Sequence, residues 1–203
     1  YGRSVIRNIY YDTADSRLIR RSNEKPVYKE KLRVRSYKRV ESDDETVFVE
    51  LKKKYNSVVY KRRTVLSENT AAKWLNDGQL PQEQTQIISE IEYFRRFYGS
   101  LVPSAFVSYD REAFFAVDGS DFRVTFDENI SARTMDLSLK KDVGGEKLLG
   151  NGLVLMELKT HSGIPLWMTS LLSENEIYKT SFSKYGTAYR TMIFPEKGEI
   201  KNV

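Results

Sequence analysis

The chain has 203 residues, 40% of them hydrophobic and 12% aromatic, enough for a folded core and too apolar for a disordered polymer. Lys and Arg number 33 against 28 Asp and Glu, and this formal charge of +5 mildly favours anionic partners. There is no cysteine, which excludes disulfides and thiol chemistry, and the single histidine, His161, argues against a multi-His metal centre or a Ser-His-Asp triad. Period-two alternation predicts strands over 4–12, 29–38, 46–55, 58–66, 105–117, 121–127 and 152–160. Asn56-Ser57 and Asp118-Gly119-Ser120 fit tight hairpin connections. Ser67 is placed to cap a helix carrying Ala71, Ala72, Trp74 and Leu75, which Asp77-Gly78 stops. Helical spacing of Ile87, Ile88, Ile91, Phe94 and Phe97 predicts a second helix over about 82–98, and two short helices are expected from Pro165 to Leu172 and over 177–193. No repeat or Gly/Pro/Ser-rich linker appears, so residues 1–203 read as a single α+β domain, antiparallel sheet with helices outside. No apolar run reaches the length of a membrane-spanning helix and no signal peptide is visible, so the expectation is a soluble cytoplasmic chain.

The strands share a further property. In KLRVRSY, Lys31, Arg33, Arg35 and Tyr37 fall on one face, with Leu32 and Val34 on the other, so the cations stand about 7 Å apart along the strand. Over 46–55, Val47, Val49 and Leu51 oppose Glu50, Lys52 and Lys54. Lys61 and Arg63 share a face, as do Tyr109 and Arg111, and Glu157 and Lys159. Arg123, Thr125 and Asp127 oppose Phe122, Val124 and Phe126. One reading is an ordinary sheet with one wet face. The other closes the strands into a barrel with a charged interior, its apolar exterior covered by the helices. Cations about 6 Å apart repel by roughly 3 kcal/mol per pair at an effective dielectric near 20, so such an interior calls for a bound polyanion.

YYDT, KLRVRSY, VFVELKKK with VYKRR, VSYDREAF, FRVTFDE, LVLMELKT and FSKYGTAYR follow one another in the order of a VTC domain. Each motif is weak alone, but together they make a specific match over nearly the whole chain. The sequence thus resembles the VTC branch of the triphosphate tunnel (CYTH-like) superfamily. The resemblance implies an antiparallel β-barrel that binds tri- or polyphosphate with a divalent metal, Mn2+ or Mg2+. It also implies a polyphosphate polymerase, lengthening inorganic polyphosphate at the expense of a nucleoside triphosphate such as ATP. A triphosphatase of the same fold and a non-catalytic polyphosphate-binding module are the alternatives.

Residue by residue, the resemblance makes Arg33 and Arg35 the paired arginines that grip phosphate. Lys52, Lys61, Arg111, Arg123 and Lys159 resemble the basic residues of the other walls, and Tyr109 a phosphate-bonding tyrosine. Glu157 resembles the metal-binding glutamate, with Glu50 and Asp127 as acidic partners. Lys184 resembles a lysine on the C-terminal helix that reaches the phosphate chain at the tunnel mouth. Family members usually start with a strand bearing a Lys-Tyr pair and then a helix, ahead of the segment matching SVIRNIYYDT. The expectation is therefore a domain truncated at its N-terminus, short of one tunnel wall and one phosphate-binding lysine, with turnover by this chain in doubt.

Other residues receive plainer readings. Lys54, Arg62 and Arg63 are expected on the exterior, His161 on the surface, and Trp74 and Trp167 in the core. Gly144-Gly145 is followed by no GxxxxGK[ST], which excludes a P-loop. The basic stretch 29–39 lacks stacked aromatic platforms, which argues against nucleic acid.

Overall fold

Alternating apolar residues set the long strands face to face in the computed structural model, which describes residues 2–56, 58–161 and 163–195. The strands are β1 (Ser4–Thr13), β2 (Tyr28–Ser36), β3 (Thr46–Tyr55), β4 (Val58–Ser67), β5 (Leu101–Phe115), β6 (Arg123–Arg133), the two-residue β7 (Glu146–Lys147) and β8 (Leu155–Lys159). The helices are α1 (Arg17–Asn23), α2 (Glu68–Asp77), α3 (Gln86–Tyr98), α4 (Leu166–Glu174) and α5 (Lys184–Ala188), which runs into a π-helical turn at Tyr189–Ile193. All pairings are antiparallel, in the order β4-β3-β2-β1-β5-β6-β7, with β8 also on β6.

This sheet is curled. Five strand-to-strand steps separate β3 from β8, about 24 Å across a flat sheet. Lys52 of β3 and Glu157 of β8 nevertheless act on each other electrostatically, as do Lys52 and Lys159. The charged faces therefore converge in the expected barrel-like tunnel, and the flat wet-face reading is excluded. Among the described residues no pairing joins β4 to β8, so one seam of the barrel is open.

The apolar faces turn outward. Leu32, Val34, Val47, Val49 and Leu51 pack under Trp74 and Leu75 of α2 and Ile88, Ile91 and Phe94 of α3. Fully burying each such side chain stabilises by roughly 1.5–3 kcal/mol. Ser67 caps α2 by accepting from the Thr70 N–H, and Gly78 ends it at φ 78°. The α3 helix starts four residues later than its periodicity suggests, because the Thr85 side chain takes the Ile88 N–H and forms the cap.

Other boundaries move for local reasons. Asp118 accepts the Ser120 N–H in the hairpin turn, as its residues suggest. Asn129, at φ 51°, sits where the β5–β6 register shifts, and this bulge lets β6 run on to Arg133. Residues 177–183, expected to be helical, are not; helix begins only at Lys184, where Ser183 supplies the cap. Trp167 is exposed, against the core reading, and meets Phe122 edge-on, while Trp74 is fully buried. Of the expected Asn56-Ser57 turn, Asn56 has φ 43° and Ser57 lies outside the described residues.

Candidate functional site on the concave face

Cross-strand register assembles one wall. Lys31, Lys52 and Lys61 form a row across β2, β3 and β4, and Arg33, Glu50 and Arg63 form the next. Glu50, 1% exposed, is the counter-charge of this wall. Its Oε2 accepts from Arg33 Nε at 2.8 Å and Nη2 at 2.7 Å. Its Oε1 takes Lys61 Nζ at 2.7 Å and Arg63 Nε at 2.8 Å. Burial opposes the Glu50 charge, but Arg33, Arg35 and Lys61 outweigh it and bring its pKa down to about 2. Arg63 faces inward, against the exterior reading, stacked on the Phe48 ring at 4.1 Å. Arg62 is exterior as expected, bonded to Glu90 of α3 at 2.7 Å.

The floor comes from β1 and β5. Arg35 donates to Asn8 Oδ1 at 2.8 Å and to Tyr109 Oη at 3.0 Å. Tyr10 accepts from Arg33 at 3.2 Å and stacks on Tyr185 with centroids 4.7 Å apart. Burial resists ionisation of Tyr10, yet Arg33, Arg35 and Lys31 prevail and lower its pKa.

The opposite wall carries the remaining acids. Arg111 grips Asp127 with two bonds of 2.6 Å and lies 3.5 Å from Glu157. Lys184, at the start of α5, reaches Asp127 at 2.6 Å and Glu157 at 3.2 Å, with its ammonium 4.5 Å from the Tyr109 ring centroid. Lys159 stands 3.7 Å from Glu157, and Arg123 stacks on Phe115 with a buried Nε that has no hydrogen-bond partner among the described residues. Burial works against the Glu157 charge, and Lys184 and Arg111 overcome it to lower its pKa. Tyr185 anchors α5 by donating to Asp12 at 2.8 Å.

The expected site residues thus line one surface: Arg33, Arg35, Lys52, Lys61 and Glu50 on one side, Arg111, Arg123, Asp127, Glu157, Lys159 and Lys184 on the other, Tyr109 between. Sequence reasoning left Tyr10, Lys31 and Arg63 out of the site, although their alternation placed Lys31 and Arg63 beside nominated residues. Lys31 donates to Ser183 Oγ at 3.0 Å, and burial, with Lys29, Lys52 and Arg33, brings its pKa down to about 8 against the pull of Tyr10. Burial and Arg33 likewise lower Lys52, and burial lowers Lys159. Burial holds these three lysines below their ordinary range, and neighbouring cations add to the shift of each.

The donors for a divalent metal can be tested against this geometry. Among the described residues no three His, Asp or Glu side chains form a metal-holding group. Both Glu50 oxygens are taken by cations, which gives that residue the part of counter-charge, and Asp127 is filled by Arg111 and Lys184. Glu157 is a third exposed and its cations lie at 3.2–3.7 Å. Mg2+-like ions are held by one or two carboxylates together with substrate phosphates and water. Glu157, with Asp127 behind it, fits a metal that arrives with phosphate oxygens.

The curled antiparallel sheet and its basic concave face define a protein of the triphosphate tunnel, CYTH-like fold. Two solved structures share it: a candidate adenylate cyclase from Bacillus halodurans (TM-score 0.54, 13% identity, 94% of this chain and 83% of that one) and a candidate adenylyl cyclase from Hippeastrum described as having a dominant triphosphatase activity (TM-score 0.52, 15% identity, 94% and 83%). The chain matches the VTC domain family over residues 1–193, and it belongs to that family. Among curated protein sequences nothing matches.

Proposed function

We propose that the concave face holds the triphosphate of a nucleoside triphosphate, ATP above all, and passes its γ-phosphoryl group to an inorganic polyphosphate chain. The observation that carries this reading is the convergence of basic side chains from β2, β3, β4, β5, β8 and α5 on three carboxylates. Phosphoryl transfer suits such a surface, because its loose transition state asks for positioning and charge stabilisation and little covalent help. A terminal oxygen of the chain bonds to the γ-phosphorus, the bond from that phosphorus to the bridging oxygen breaks, and the nucleoside diphosphate leaves with the electron pair. Arg33, Arg35, Lys52 and Arg123 spread the charge of the equatorial oxygens, and Tyr109 orients Arg35. Lys184 exchanges its carboxylate partners for phosphate at the mouth. Glu157 would hold a divalent metal, which would supply further neutralisation of phosphate charge.

Incubation with ATP and Mn2+ or Mg2+ followed by product analysis tests the proposal. Polymer growth is the expected result. Orthophosphate in place of polymer would assign the same site to a triphosphatase, supported by the described activity of the Hippeastrum protein. Tripolyphosphate binding with neither product would leave a binding module.

A further inference from the structure

A second basic cluster lies on the other face of the sheet. Arg7 of β1 is more than nine-tenths buried, and its Nε has no hydrogen-bond partner among the described residues. Its cross-strand neighbours are Ser36 and Ser108, which offer no negative charge. Ser36 donates instead to the Lys38 carbonyl, and Ser108 pairs with Ser131. The charges acting on Arg7 are those of Arg39 and Arg133, both cations, and of Asp142. Arg133 spends its donors on the carbonyls of Asp136, Ser138 and Asp142, which wraps residues 136–142 over the cluster. The Asp142 carboxylate itself bonds Arg39 at 2.7 Å and is 82% exposed.

A buried guanidinium Nε without a partner is costly, and two neighbouring cations add to the cost. One solvent-facing carboxylate on a loop is a weak match for three arginines. Guanidinium groups recognise phosphate oxygens through forked, charge-assisted bonds. A cavity of about 320 Å3 adjoins Ser108, the cross-strand neighbour of Arg7, and the Val143–Gly145 segment that follows Asp142; Val5, Asp110, Ser131 and Lys147 also line it, and the arginines stand outside it. We propose that Arg7 and Arg39, with the charge of Arg133 beside them, form a phosphate-binding site on the outside of the barrel, in which Asp142 stands in for the ligand. That ligand is either free orthophosphate or a segment of a polyphosphate chain running over the outer surface. The site is separate from the concave one and does not depend on what the latter catalyses.

The test is a nuclear magnetic resonance titration of the nitrogen-15-labelled chain, following the backbone amides and side-chain Nε–H groups of Arg7, Arg39 and Arg133. Sodium orthophosphate and tripolyphosphate are added in separate series. Saturable shifts at these three residues are expected, unchanged in Arg33→Ala, whose lesion is on the concave face. Asp142→Asn, at an exposed position, removes the internal competitor and should tighten binding roughly tenfold, while Arg39→Gln should weaken it by a similar factor. Shifts with orthophosphate identify free phosphate as sufficient; shifts with tripolyphosphate alone identify the chain. If Asp142→Asn protein shows no saturable shift at Arg7 with either probe, or binds no tighter than the parent, the site does not exist as described.

Discussion

Glu50→Gln separates two roles for one carboxylate. Glu50 contacts Arg33, Lys61 and Arg63 within 2.8 Å and lies 3.9 Å from Arg35, and it is buried. Its pKa of about 2 lies below the ordinary 4.5, which corresponds to about 3 kcal/mol favouring the charged form. The sign follows directly: a depressed carboxylate stabilises fully above the unfolded value, and that contribution fades as pH falls through the folded one. The amide keeps the shape and deletes the charge, so it should cost about 3 kcal/mol at neutral pH, on the order of 6–12 °C in Tm for a domain of this size. Tripolyphosphate supplies the missing negative charge, so it should stabilise Glu50→Gln more than the parent. Thermal unfolding with and without tripolyphosphate, in metal-free buffer, measures both quantities. An unchanged Tm, or a loss that tripolyphosphate does not recover better than in the parent, would refute the counter-charge role. A metal ligand would show neither effect without metal.

Other expectations follow from the same geometry. Arg33→Ala and Arg35→Ala each remove charge-assisted contacts worth about 1.5–3 kcal/mol, so calorimetry should show tripolyphosphate binding weakened about tenfold or more, while Arg62→Ala leaves it unchanged. Glu157→Gln should abolish metal-dependent turnover and leave metal-free tripolyphosphate binding intact or tighter, because a repelling carboxylate is gone. Lys31, with its pKa near 8, must be protonated to hold phosphate. Affinity should therefore fall as pH rises through 8, with proton uptake on binding near that pH. Lys31→Arg should flatten that profile, and an unflattened one would show that Lys31 does not contact the ligand.

Much of this architecture was legible because a strand alternates: Val47, Val49 and Leu51 against Glu50 and Lys52 already separate outside from inside. The same alternation put Arg63 beside Lys61, and the exterior reading failed by weighing Arg63 as an isolated surface charge. Trp167 shows the converse error, since helical spacing among apolar residues does not say whether anything covers them. The α1 helix escaped notice because its cap is remote: the Asp12 carboxylate accepts the Leu18 and Ile19 N–H groups from within β1. Thr180, Ser181 and Ser183 are all cap-type residues, and only Ser183 is used as the cap, which local sequence does not distinguish. Neither Tyr10 as an oriented acceptor nor the pairing of Asp127 with Lys184 is visible locally, because each depends on strands brought together by the curl.

The bond from Tyr185 to Asp12 joins positions 173 residues apart. Both carboxylates of the far wall receive Lys184 only when that bond and the surrounding contacts have formed. During folding or synthesis, the β-strands can pair while the mouth still lacks its lysine, since α5 follows β1–β8 in the chain. Loop closure over such a span is slow relative to hairpin formation, so maturation of the basic surface should lag behind formation of the sheet. Competence to hold a polyanion at the mouth is thus a late event in the life of the chain, timed by a single tyrosine reaching back to the first strand.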